Sequence, residues 1–120
     1  QLPLPQPPQG ESLDYFCQRG GRFGPHNQNE LQHNPLVKQQ DDLLYLTYFN
    51  AGLRVYDISV PRNPQEVAWF LPPDPTERRG PLPVTALVAQ SEDVLVDTRG
   101  YIYVSHKNQG IWILRYTGDQ

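Results

Sequence analysis

Two histidines, His26 and His33, lie seven residues apart, each followed by an asparagine, within the glycine-, proline- and asparagine-rich stretch from Gly24 to Pro35. Imidazole is the commonest ligand for divalent transition metals. Paired with a carboxylate such as Asp93 around a channel, His26 would make a metal or substrate site. The spacing matches neither H-x-H nor H-E-x-x-H. The plainer alternative is that both rings bond loop backbone, as Asn27 and Asn34 would. The candidate binding set is therefore Arg22, His26, Asn27, His33 and Asp93, with His26 and His33 as candidate metal ligands. The third histidine, His106, falls in a hairpin turn and is expected to be exposed to solvent.

Other chemistries are weaker. Ser91 or Ser105 can be combined on paper with a histidine and with Asp93 or Asp97 into a hydrolytic triad, but no G-x-S-x-G elbow supports it. Glu92, Asp93 and Asp97 offer carboxylate pairs for glycoside chemistry, yet adjacent Glu92 and Asp93 should point to opposite faces of a strand. Asp41-Asp42 lacks the D-x-D-x-D-G context of a calcium loop, and no glycine loop cradles a phosphate. Cys17 is the single cysteine, which excludes an internal disulfide. It is a nucleophile, a ligand, an intermolecular bridge or, most simply, a half-buried side chain beside Gly20-Gly21. Tyr45, Tyr48, Tyr56, Tyr101, Tyr103, Trp69 and Trp112 recur at strand spacing. Packing accounts for most of them, and an exposed subset would suit a glycan.

The elements that must hold these residues are strands. Thirteen prolines and nine glycines in 120 residues rule out long helices, and no window has a helical period. The net charge of −3, with mixed signs, argues against nucleic acid or an acidic membrane as partner. No apolar run approaches the roughly 18 residues of a membrane span. Methionine is absent, so the chain is read as a processed product or a piece of something longer. Residues 1–15 form a proline-rich extended lead-in, and 16–120 a single β module. Its strands are expected at 43–49, 53–58, 66–71, 93–97, 101–105 and 110–116, with a short one at 84–88. The excursion at 72–83 reads as a surface loop.

Displaced by 58 positions, the sequence matches itself. Leu44-Tyr45-Leu46-Thr47 falls on Ile102-Tyr103-Val104-Ser105, Asn50 on Asn108, Gly52 on Gly110, Leu53 on Ile111 and Val55 on Ile113. Each copy is a hairpin with Asn two residues before a Gly that permits positive φ. The period exceeds the roughly 40–45 residues of a WD40 blade, and the 72–83 excursion supplies the excess. The units span about 24–71 and 93–116. Their innermost strands are expected near 24–31 and at 93–97, which sets Asp93 in the place equivalent to His26.

The run Leu53-Arg54-Val55-Tyr56-Asp57-Ile58-Ser59, followed by Pro61, Asn63-Pro64 and Glu66-Val67, resembles the repeat of the LVIVD-repeat β-propeller proteins. Gly110-Ile111-Trp112-Ile113-Leu114 is similar to their final blade, and Gly20-Gly21-Arg22-Phe23-Gly24-Pro25-His26-Asn27 to a stretch near the C-terminal blades of bacterial members. One departure is Ser105-His106, where many copies have Thr-Asp. The resemblance implies an all-β fold of about two four-stranded antiparallel propeller blades. With four to eight blades in a whole propeller, two would leave bare edges. They would be closed by homo-oligomerisation or by completing a larger propeller. The implied function is binding or scaffolding through a channel or loop face, toward a small molecule or glycan. The alternative is a metal-dependent oxidoreductase or hydrolase with a divalent transition metal. The expected location is extracytoplasmic, as a secreted protein.

Overall fold

The computed structural model describes residues 1–30, 32–81, 84 and 86–118. Six strands form in runs that alternate or are rich in aromatic and branched residues: β1 (Leu43–Thr47), β2 (Leu53–Asp57), β3 (Gln65–Phe70), β4 (Ser91–Val96), β5 (Tyr101–His106) and β6 (Gly110–Arg115). They make two three-stranded antiparallel sheets, ordered β1-β2-β3 and β4-β5-β6. The fold is all-β. The repeat extends to the pairing itself. Tyr45 faces Val55 and Leu46 faces Arg54 in the first sheet, as Tyr103 faces Ile113 and Val104 faces Trp112 in the second.

The sheets stack in the same sense. Tyr45, Leu53 and Val55 on one face of the first sheet pack against Val94, Val96, Ile102 and Val104 of the second. Leu46 and Tyr56 on the other face of the first sheet pack on Phe16 and Leu2, so β2 is buried on both sides. The positions matching Tyr45, Leu53 and Val55 in the second sheet are Tyr103, Ile111 and Ile113. They form an uncovered face, on which Ile111 and Ile113 are about two-thirds exposed. Apolar area left in water forgoes about 25 cal/mol per Å².

Two expectations need correcting. A single helical turn, α1 (Tyr15–Arg19), forms where no helical period is found. Five residues are too few to show a period, and buried Phe16 pins the turn against the first sheet. The strand expected at 84–88 does not form among its described residues, and Thr85 lies outside them. The proline-rich lead-in is docked on the first sheet: the Tyr56 hydroxyl donates to Pro3 O at 3.2 Å and Arg54 Nη1 to Gln6 O at 3.1 Å. The 72–83 excursion does run outside the sheets, with Leu82 and Pro83 outside the described residues. It is held there by Gln109 Nε2 donating to Pro73 O at 2.6 Å.

The segment expected as the innermost strand of the first unit, 24–31, lies along the free edge of β1. His26 N donates to Thr47 O at 2.9 Å, Thr47 N to Asn27 O at 2.8 Å and Asn29 N to Tyr45 O at 3.1 Å. Pairing is confined to isolated bridges such as Gln28 with Leu46, and Leu31 lies outside the described residues. The chain then crosses to the second sheet, where Lys38 N donates to Val96 O at 2.8 Å.

The hairpin tips use their repeated residues alike. Asn50 Nδ2 donates to Phe16 O at 2.6 Å and Gly20 O at 2.9 Å, catching the end of α1. Asn108 Nδ2 donates to Glu77 O at 2.8 Å, catching the excursion. Gly52 and Gly110 both have positive φ, 78° and 85°. A Cβ on Gly52 would collide with the Phe70 carbonyl, whereas one on Gly110 meets nothing. Gly110→Ala is therefore expected to cost only the left-handed penalty of about 1–2 kcal/mol. Gly52→Ala adds an overpacking term of about 1–3 kcal/mol, for about 2–5 kcal/mol in all. Equal losses in urea unfolding would contradict this.

Candidate functional site

The site is assembled where the inner segment meets the start of β4. Glu92 O is a shared acceptor: Thr47 Oγ1 donates to it at 3.1 Å and Asn27 Nδ2 at 3.4 Å, while His26 Nδ1 lies 2.7 Å away. His26 Nε2 is 3.8 Å from Glu92 Oε1, and Lys107 Nζ is 2.7 Å from Glu92 Oε2. The ring of His26 also lies against Phe49, centroids 4.6 Å apart, with the Arg22 guanidinium 5.7 Å from that phenyl centroid. An imidazole, a carboxylate and an ammonium thus converge at the surface, each about one-quarter to one-third exposed. The set can donate to and accept from a polar ligand at once.

Of the residues chosen from sequence, Arg22, His26 and Asn27 come together here and His33 and Asp93 do not. His33 is exposed, with φ 52° and no hydrogen bond among the described residues. Asp93 lies on the uncovered face of the second sheet beside Tyr103, Ser105 and Ile111. The carboxylate beside His26 is that of Glu92, because a bulge between Ser91 and Asp93 shifts the register of β4 and re-aims the side chain. Lys107 was also missed. Its signal was weak: it follows β5 directly, in the β5–β6 hairpin. No group of three His, Cys, Asp or Glu side chains able to hold a metal occurs among the described residues.

His106 overturns its expected exposure. It is 5% exposed, follows Ile102 and Val104 on the inward face of β5, and meets Phe70 edge-on at 6.4 Å. Burial pushes its pKa down to about 4. Its Nδ1 lies 3.2 Å from Ser91 Oγ and its Nε2 has no partner among the described residues. Ser91 is wholly buried, so this pair offers no accessible nucleophile.

Asp97 is tied into the β4–β5 turn by Arg99. Burial pushes the Asp97 pKa up, but hydrogen bonds from the Arg99 guanidinium, Tyr101 N and the Tyr103 hydroxyl outweigh it and hold the group at about 2. Cys17, expected to be half-buried, is exposed on α1. Comparison with protein-family models, with curated proteins and with solved structures finds no match.

Proposed function

We propose that this chain is a binding or scaffolding module built from two β-propeller blades of the LVIVD-repeat kind, acting through the loop end at His26, Glu92 and Lys107. The observation that carries the reading is the sense of stacking. The first sheet meets the second through Tyr45, Leu53 and Val55, and the second presents their counterparts Tyr103, Ile111 and Ile113 to solvent. A stack continued in the same sense closes into a ring when the rotation allows, although the contact between copies would differ from the internal one, because Phe16 and Leu2 already cover the outer face of the first sheet. The inner segment 26–29 and β4 run in the same direction, as innermost strands of successive blades do. On the opposite side, the lead-in presents exposed Leu4 and Leu13 to a neighbouring copy.

Native mass spectrometry of the purified chain tests this. A closed oligomer of one stoichiometry is expected, and Ile111→Lys with Ile113→Lys should give a folded monomer by circular dichroism. A wild-type chain that stays monomeric at tens of micromolar would remove ring closure. The module would then act alone through its loop end.

A further inference from the structure

At the end of the intersheet cleft away from His26 lies a groove of about 450 Å³, lined by both sheets. Its charges are segregated. Arg99 and Gly100 come from the β4–β5 turn and Arg115 from β6, while Lys38 is bonded to β4 through Val96 O. The first sheet contributes Leu43, Tyr45, Val67 and a single carboxylate, Asp57. Three cations thus stand on the second-sheet side and one anion on the other.

The cations differ in how they are neutralised. Lys38 pairs with Asp41 at 2.7 Å and Arg99 with Asp97 at 2.7 Å, whereas Arg115 forms no ion pair among the described residues. Arg115 and Arg99 instead lie over the same phenol, that of Tyr101, at 4.6 and 5.0 Å from its centroid. Cation–π contact holds the two like charges near one another without neutralising Arg115. The Tyr45 hydroxyl, whose side chain also lines the groove, makes no hydrogen bond among the described residues. A guanidinium presents a planar fork of donors suited to carboxylate or phosphate oxygens. Leu43, Val67 and the tyrosines supply apolar wall for the rest of a ligand. Asp57, its Oδ1 already accepting from Ser59 N at 2.8 Å, disfavours a second anionic group at the first-sheet side.

We infer that this groove binds a small organic acid with one anionic end, a carboxylate or a phosphate, seated on Arg115 and Arg99, and an apolar or aromatic body lying against Leu43 and Val67. The site is separate from the loop end, and its occupancy does not depend on the blade reading.

The test is a ¹H–¹⁵N titration of the full chain with benzoate and with phenyl phosphate, and with benzylamine as the probe of opposite charge. Saturable shifts are expected at Gly100, Arg115 and Tyr116, with His26 and Lys107 unmoved. Whichever acid binds tighter identifies the headgroup. Arg115→Gln should weaken binding about tenfold, and Asp57→Asn should tighten it. Both side chains lie at strand ends, so the variants should keep the wild-type amide spectrum elsewhere. Binding of benzylamine as tight as that of benzoate would overturn the inference. So would titrations in which neither acid saturates, or an affinity unchanged by Arg115→Gln.

Discussion

Arg54→Ala is expected to destabilise the chain by about 3–5 kcal/mol, because it leaves a buried carboxylate without its counter-charge. Arg54 is 1% exposed, between Phe16 at 5.2 Å and Trp69 at 5.5 Å from its guanidinium carbon. Its Nε donates to Ala51 O at 2.8 Å and its Nη1 to Glu66 Oε1 at 3.2 Å, where Glu66 is itself buried. Burial lowers the Arg54 pKa and the Glu66 carboxylate opposes that shift, so the pair is retained as ions. Domains of this size are stable by only about 5–15 kcal/mol, so the loss is a large share of the total. Replacing both partners with apolar residues, Arg54→Met with Glu66→Leu, should recover part of it, since exposed Gln6 can turn to water while the buried Ala51 O still loses its donor. Urea unfolding of the two variants decides the matter. A double variant as unstable as Arg54→Ala would show that the cost comes from packing on Phe16 and Trp69 instead.

The second large effect is on pH dependence. The His106 imidazole has its pKa lowered by burial from an ordinary 6.5 to about 4. Between those values the unfolded chain binds a proton that the folded chain does not, so stability rises with pH across that window. It is fully present above pH 6.5 and is lost as the pH falls toward 4. The loss amounts to about 3 kcal/mol at 1.36 kcal/mol per pKa unit. Asp97, held at about 2, adds a second loss in the same direction below its ordinary 3.8. Stability measured from pH 7 to pH 4 should therefore slope, and His106→Gln should flatten that slope while preserving an acceptor for Ser91. A slope unchanged in the variant would assign the acid sensitivity to other groups.

The strands were legible because alternation over five or six residues is a strong signal, and the hairpin repeat was legible because its asparagines and glycines hold fixed turn positions. Residues 43–47 and 53–57 were placed to within two residues. The single turn of α1 was not legible, since its formation depends on Phe16 meeting Leu46 and Tyr48 from distant sequence. His106 was misplaced by weighing its turn neighbours, Lys107 and Asn108, over the inward series Ile102, Val104, His106. That series was the better guide. Glu92 was weighed for glycoside chemistry but not as the partner of His26, for a different reason. Strict alternation set it opposite Asp93, and a bulge leaves no mark in one sequence. His26 and Asn27 were found from their composition, but their partner on the other sheet could be named only once β1 and β4 lay side by side.

The crossing of the inner segment also shapes how the molecule comes apart. Backbone bonds tie residues 26–29 to β1 and residues 36–38 to the end of β4, while Asn29 Oδ1 accepts from Val96 N at 2.9 Å between them. Neither sheet can therefore open without releasing the lacing that holds the other. Amide exchange in β1 and β4 should report one shared opening event rather than two.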